Sequence, residues 1–217
     1  VQLDQQSRLS PFYAAFVPDS ISGNAARERS KLALQMADTE VAVEEAQTQV
    51  GLRPMPAESL TVLALASLQA GDAETARKGL EAASQRGWRE PISQLASAQS
   101  ALEQGAYPVA SQRIVALLST GNLREPALGM LAELITIPRG REIMAARIAG
   151  PGRWQVSTIT QAQKFVDPND WAATLALASR KGATLPCAPL QLLQTRTERE
   201  GEAESAEVLT FVVERSC

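Results

Sequence analysis

Two cysteines, Cys187 and Cys217, are the only thiols in this 217-residue chain, and there is no histidine. A nucleophilic thiol needs a cationic neighbour to hold it as thiolate. Cys187 lies between Pro186 and Ala188 and has none in sequence. Without imidazole, Ser-His-Asp and Cys-His catalysis and most zinc and haem sites are excluded. Two readings of the cysteines stay open: a disulfide, of the kind common in exported proteins, and two unrelated thiols. Glu198, Glu200, Glu202, Glu204 and Glu207 form the one carboxylate cluster. A calcium loop would set Asp or Asn around its turn glycine. Gly201 is there, but the run holds no Asp or Asn, so it reads as a solvated turn. There is no Gly-rich phosphate loop and no nucleophile elbow. The expectation is a non-enzymatic protein with no cofactor and no metal; carboxylate chemistry in an unrecognised cleft is the enzyme alternative.

The composition, 45% hydrophobic and 21% charged, suits one ordinary folded domain or one and a half small ones. A net charge of −3 and the absence of a basic stripe argue against nucleic acid as a partner. No apolar run approaches the roughly 18 residues of a membrane span. The sequence opens on Val1 rather than Met, which leaves room for a leader or anchor upstream.

The elements that must position any site are visible as an internal repeat. Leu34-Gln35-Met36-Ala37-Asp38 returns 34 residues later as Leu68-Gln69-Ala70-Gly71-Asp72, and more weakly as Leu102-Glu103-Gln104-Gly105-Ala106. An alanine follows each at one offset: Ala42, Ala76, Ala110. Arg89-Glu90-Pro91 returns at a spacing of 35 as Arg124-Glu125-Pro126. Each repeat reads as a helical hairpin. Over 57–87, Leu60, Leu63, Ala64 and Leu68 share one face of a first helix. Ala70-Gly71-Asp72 ends it and caps the next. Ala73, Ala76, Leu80 and Ala83 face inward from the second helix, with Ala64 and Ala76 letting the pair approach closely.

This pattern resembles the tetratricopeptide repeat superfamily over roughly residues 23–149. The small residue of the first helix falls on Ser30, Ala64 and Ala98, and the alanine of the second on Ala42, Ala76 and Ala110. The family's aromatic positions are mostly lost and its late proline survives only at Pro54. The resemblance implies a mainly α fold, a right-handed α-α solenoid, whose first helices line a concave face that binds partner segments. On that carry-over the groove comprises Asn24, Arg27, Lys31, Thr61, Val62, Leu65, Gln69, Ile92, Leu95, Gln99 and Glu103. Arg27 and Lys31 would supply half of the carboxylate clamp some relatives use. The matching polar places hold Val62, Ile92 and Ala96, so the clamp is incomplete. What remains is an apolar groove with a basic end, either open to a protein or peptide segment or filled by this chain's own termini.

Three regions follow: an extended N-terminal segment over 1–20, repeats over 21–150, and a C-terminal cap over 151–217. A fourth hairpin is expected over Pro126–Ala149 with Pro138-Arg139-Gly140 as its turn, and Gly150-Pro151-Gly152 as the domain boundary. In the cap, Ser157–Phe165 and Trp171–Lys181 read as helices. Leu190–Thr197 and Val208–Val213 read as a β-hairpin on their β-branched content, the alternative being a last helix over Ser205–Val213. Residue 202 is midway between the cysteines, so a hairpin centred there would bring them together and let a disulfide close it. Phe12, Tyr13 and Phe16, three of the nine aromatics, lie in the first 20 residues. They read as packing on the first repeat, or as a stalk. Trp88, Trp154 and Trp171 at helix ends read as inter-repeat packing.

The functional expectation is a protein–protein interaction or scaffold module. A second reading is a structural part of a bacterial cell-envelope assembly, exported to the periplasm, since the Ala-rich, acidic repeats are similar to those of envelope-associated repeat proteins. Cytoplasmic residence is the alternative.

Overall fold

The computed structural model describes residues 2–217, and among them every regular element is a helix. The chain divides into two compact units, Val1–Ser93 and Gln94–Cys217.

The first unit contains α1 (Gln2–Ser7), short 3-10 turns at Pro11–Phe16 and Asp19–Ile21, and then α2 (Ala25–Gln35), α3 (Thr39–Leu52), α4 (Ala57–Gln69) and α5 (Ala73–Arg86). α6 (Pro91–Glu103) begins in it. The 34-residue echo is a repeated turn. At its centre Ala37, Gly71 and Gly105 all have positive φ, at 57°, 81° and 70°. The next residue's N–H then returns to the carbonyl five back: Asp38 to Ala33 at 2.9 Å, Asp72 to Ser67 at 2.9 Å, Ala106 to Ala101 at 2.8 Å. This is the glycine-type helix stop, and Ala37 bears its steric cost. Asp38 and Asp72 then cap the following helix, accepting from Val41 N–H at 3.4 Å and Thr75 N–H at 3.0 Å.

Small residues set the helix spacing. Ser30 donates to the Ala42 carbonyl at 2.7 Å, tying α2 to α3. The closest approach of α4 and α5 falls at Ala64 and Gly79, where an added Cβ would stand 2.9 Å from that of Ala64. Ala76 is buried one turn earlier. The N-terminal segment is helical rather than extended; Val1 lies outside the described residues. Asp4, on α1, reaches the start of α2 and accepts from the backbone N–H of Asn24 at 2.7 Å and of Ala25 at 2.9 Å. A carboxylate there satisfies orphan donors and complements the helix dipole. Arg29 holds the rest, donating to the carbonyls of Ala14 and Val17 and pairing with Asp19 and Glu45. The segment packs through Ala14 and Val17, while Phe12 and Phe16 stay exposed, their tilted rings 5.2 Å apart between centroids.

The second unit contains the rest of α6, then α7 (Tyr107–Thr120), α8 (Arg124–Thr136), α9 (Pro138–Ala149), α10 (Trp154–Gln161), a 3-10 turn (Ala162–Lys164), α11 (Pro168–Arg180), α12 (Cys187–Glu200) and α13 (Ala203–Ser216). One apolar core runs through it, including Ile114, Leu131, Met144, Trp171, Leu175 and Leu190. Trp171 also donates its indole N–H to the Ile159 carbonyl at 3.2 Å. Trp154 is buried; Trp88, in the first unit, is half exposed and lies 4.0 Å beneath Arg89.

Three expectations are corrected here. Pro138-Arg139-Gly140 is the first turn of α9, not a loop, since proline suits a helix start and Ile137 alone makes the bend. Gly150-Pro151-Gly152 separates α9 from α10 on the surface of the second unit rather than between the two units, and Gln155 bridges the Ile148 and Gly150 carbonyls at 2.7 Å each. The expected β-hairpin is a helical hairpin, α12 and α13, and no strand occurs among the described residues. Leu190, Leu193 and Thr197 bury one face of α12, and Ser205, Ala206, Leu209 and Val212 one face of α13. That burial outweighs the few tenths of a kcal/mol by which valine and threonine disfavour a helix. Cys187 and Cys217 pair as a disulfide across its open end, Cα atoms 5.3 Å apart.

Candidate functional site

The eleven groove positions do not share one role. Asn24 is 2% exposed and fully engaged: its side-chain amide donates to Asp4 at 2.8 Å and its oxygen accepts from Arg53. Arg27 and Lys31 both pair with Glu28, at 2.9 and 3.2 Å, so the two expected clamp cations share a carboxylate of their own helix. Thr61 is buried and donates to the Ala57 carbonyl, and Val62 belongs to the first unit's core. Leu65 is half buried, whereas Gln69 and Ile92 are exposed. α4 packs against α2, α3 and α5, which buries most of its circumference and leaves little of it for a groove. In the second unit Leu95 packs against the core, while Gln99 and Glu103 are exposed and bond to each other at 3.0 Å.

Two concave features of the first unit were not anticipated. The first is polar, with a volume of about 210 Å³. Its wall brings together Arg8 after α1, Asn24 and Arg27 at the start of α2, Gln49 and Arg53 at the end of α3, and Glu58 and Ser59 at the start of α4. Gln49 donates to the Ser59 hydroxyl at 3.0 Å, and its oxygen is buried with no hydrogen-bond partner. Arg53 is held twice: its guanidinium donates to Asn24, and its stem crosses Gly23, where a Cβ would meet its Cδ at 2.6 Å. These residues come from four stretches of chain, so no local motif announces them. Gly23 ahead of α2 was the one sequence signal, a place where the Arg53 stem comes close to the backbone.

The second feature is an apolar cleft of about 270 Å³ between the first 3-10 turn and the α2–α3 hairpin. Ala14, Leu32, Ala33, Met36 and Val41 line it, and Met36 and Leu32 are 72% and 52% exposed.

The acidic run is split by the turn at Gly201 and partly neutralised. Glu200 pairs with Arg196 at 2.8 Å and accepts from Gln163 at 2.9 Å. Among the described residues no three Asp, Glu, Cys or His side chains are grouped so as to hold a metal ion, and no helix is long and apolar enough to cross a membrane. Burial pushes the Arg113 guanidinium below its ordinary value; an arginine so shifted still carries its charge at neutral pH. No family model, no curated protein and no solved structure matches the chain.

Proposed function

We propose that the protein is a non-enzymatic interaction or scaffold module of tetratricopeptide-like repeats, and that its first unit takes a partner segment. The observation that carries this reading is the apolar cleft beside α2. Exposed Leu32, Met36 and Val41 make an apolar surface of the kind that marks partner contact. Methionine adapts its shape to whatever segment docks. The repeated turns at 37, 71 and 105 support the repeat assignment. The test is a photo-crosslinking amino acid placed at position 36 in the native host, with exposed position 112 as control. A partner captured from position 36 alone, and lost on Leu32→Glu, is the expected result. The same products from both positions would refute the reading.

A second reading, a structural component of a bacterial cell-envelope assembly, is favoured by the Cys187–Cys217 pair, because disulfides persist in oxidising compartments. Alkylation of protein taken directly from its host tests it. Thiols blocked until reduction support export, and freely alkylated thiols remove the ground for it.

A further inference from the structure

We propose that the polar cavity of the first unit binds a phosphate group, either inorganic phosphate or the phosphate of a small monoester. This stands independently of the partner-binding reading. Three guanidiniums, Arg8, Arg27 and Arg53, line the cavity with the Glu58 carboxylate, and Arg27 is also paired with Glu28 just outside that lining. Their donors are largely unspent among the described residues. Arg27 uses only Nε, toward Glu28, and Arg53 only one Nη, toward Asn24. A guanidinium fork matches an oxyanion with paired N–H donors. A carboxylate has two oxygens and one charge and saturates at most two such forks. A phosphate dianion has the oxygens and the charge to engage all three.

Arg53 is also placed rather than merely present. Asp4 fixes the Asn24 amide, Asn24 fixes the Arg53 guanidinium, and Gly23 makes room for the Arg53 stem. A chain of this kind pre-organises donors and lowers the ordering cost of binding. The Glu58 carboxylate adds an acceptor on the same wall. Hydrogenphosphate carries an O–H that such an acceptor receives, as do the hydroxyls of a small phosphate ester; sulfate carries none. The volume of about 210 Å³ equals roughly seven waters, room for a phosphate and a short organic tail.

Isothermal titration of the full chain at constant ionic strength tests this, with inorganic phosphate, glycerol 3-phosphate, sulfate and acetate as the four probes. Saturable binding of either phosphate probe is expected, about tenfold tighter than sulfate or acetate, and the tighter of the two identifies free phosphate or ester as the ligand. Arg53→Gln and Gly23→Ala should each weaken it about tenfold with the circular dichroism spectrum unchanged. Gly23→Ala displaces only the flexible Arg53 stem, so it reports on positioning without the loss of a charge. No saturable phosphate signal from the unaltered protein, equal binding of sulfate, or undiminished binding by a folded Arg53→Gln protein would each overturn the proposal.

Discussion

The Asn24 side chain joins two charges of opposite sign, donating to the Asp4 carboxylate at 2.8 Å while its oxygen accepts from the Arg53 guanidinium. Asp4 is itself 7% exposed and bonded to two backbone N–H groups of α2. Asp4→Ala removes all three bonds and leaves the Asn24 and Ala25 donors unsatisfied. The expected loss is about 2–3 kcal/mol in urea unfolding, with faster proteolysis ahead of residue 24. An unchanged midpoint would mean that α1 does not hold α2.

The disulfide closes α12 and α13 into a covalent loop with a sequence separation of 30. In the chain-entropy model such a loop contributes about 3–4 kcal/mol by restricting the unfolded chain. Reduction, or Cys187→Ser with Cys217→Ser, should lower the melting temperature and leave the helical spectrum of the native protein in place. Loss of helicity on reduction at low temperature would show the bridge to be required for the hairpin rather than supportive of it.

Asp72 is held below the usual carboxylate range by hydrogen bonds from the Thr75 side chain and backbone N–H. Its folded value is therefore lower than its unfolded value. The stabilisation is complete above the unfolded value and disappears as pH falls through the folded one. Asparagine caps helices as well as aspartate does. Asp72→Asn should match the parent at neutral pH and lose less stability on acidification, as read from melting temperature against pH. Parallel acid limbs would assign the dependence to other carboxylates.

Two helical glycines should respond in opposite directions to alanine. Gly140 faces the Leu134 carbonyl, which an added methyl would overlap, whereas nothing lies within 4 Å of a Cβ at Gly129. Gly140→Ala should cost about 1–3 kcal/mol by overpacking, and Gly129→Ala should gain about 0.5–1 kcal/mol through helix propensity. Chemical unfolding of the pair measures both, and equal effects would contradict the tight α8–α9 bend.

The repeat was legible because its signature is local. Leu-Gln-x-x-Asp encodes a helix end, a left-handed residue and a cap, and Ala42, Ala76 and Ala110 are all buried as their spacing requires. The same grammar was present at the α12–α13 turn. Gly71-Asp72-Ala73-Glu74 and Gly201-Glu202-Ala203-Glu204 are near copies, and Glu202 returns to Thr197 as Asp72 does to Ser67. The β-branched Thr and Val residues around it pointed to strand, and tertiary burial of Leu193, Leu209 and Val212 decided otherwise. The arginine cavity was not legible. Arg8, Arg27 and Arg53 are far apart in sequence, and it takes both the return of α3 alongside α2 and the packing of α1 on α2 to bring them to one wall. Thr61 and Val62, read as groove positions, are buried, because a repeat template says which face a position occupies, not how many neighbours cover that face.

The Cys187–Cys217 bond also fixes how this region carries load. Tension applied at Cys217 passes through sulfur to Cys187 and on to Pro186, and the intervening helices stay slack. A stretched, oxidised molecule is then shorter by the contour of a 30-residue separation, about 100 Å at the extended rise of the chain. Releasing that length requires reduction of the bond, because tension is not transmitted through α12 and α13 while it is intact.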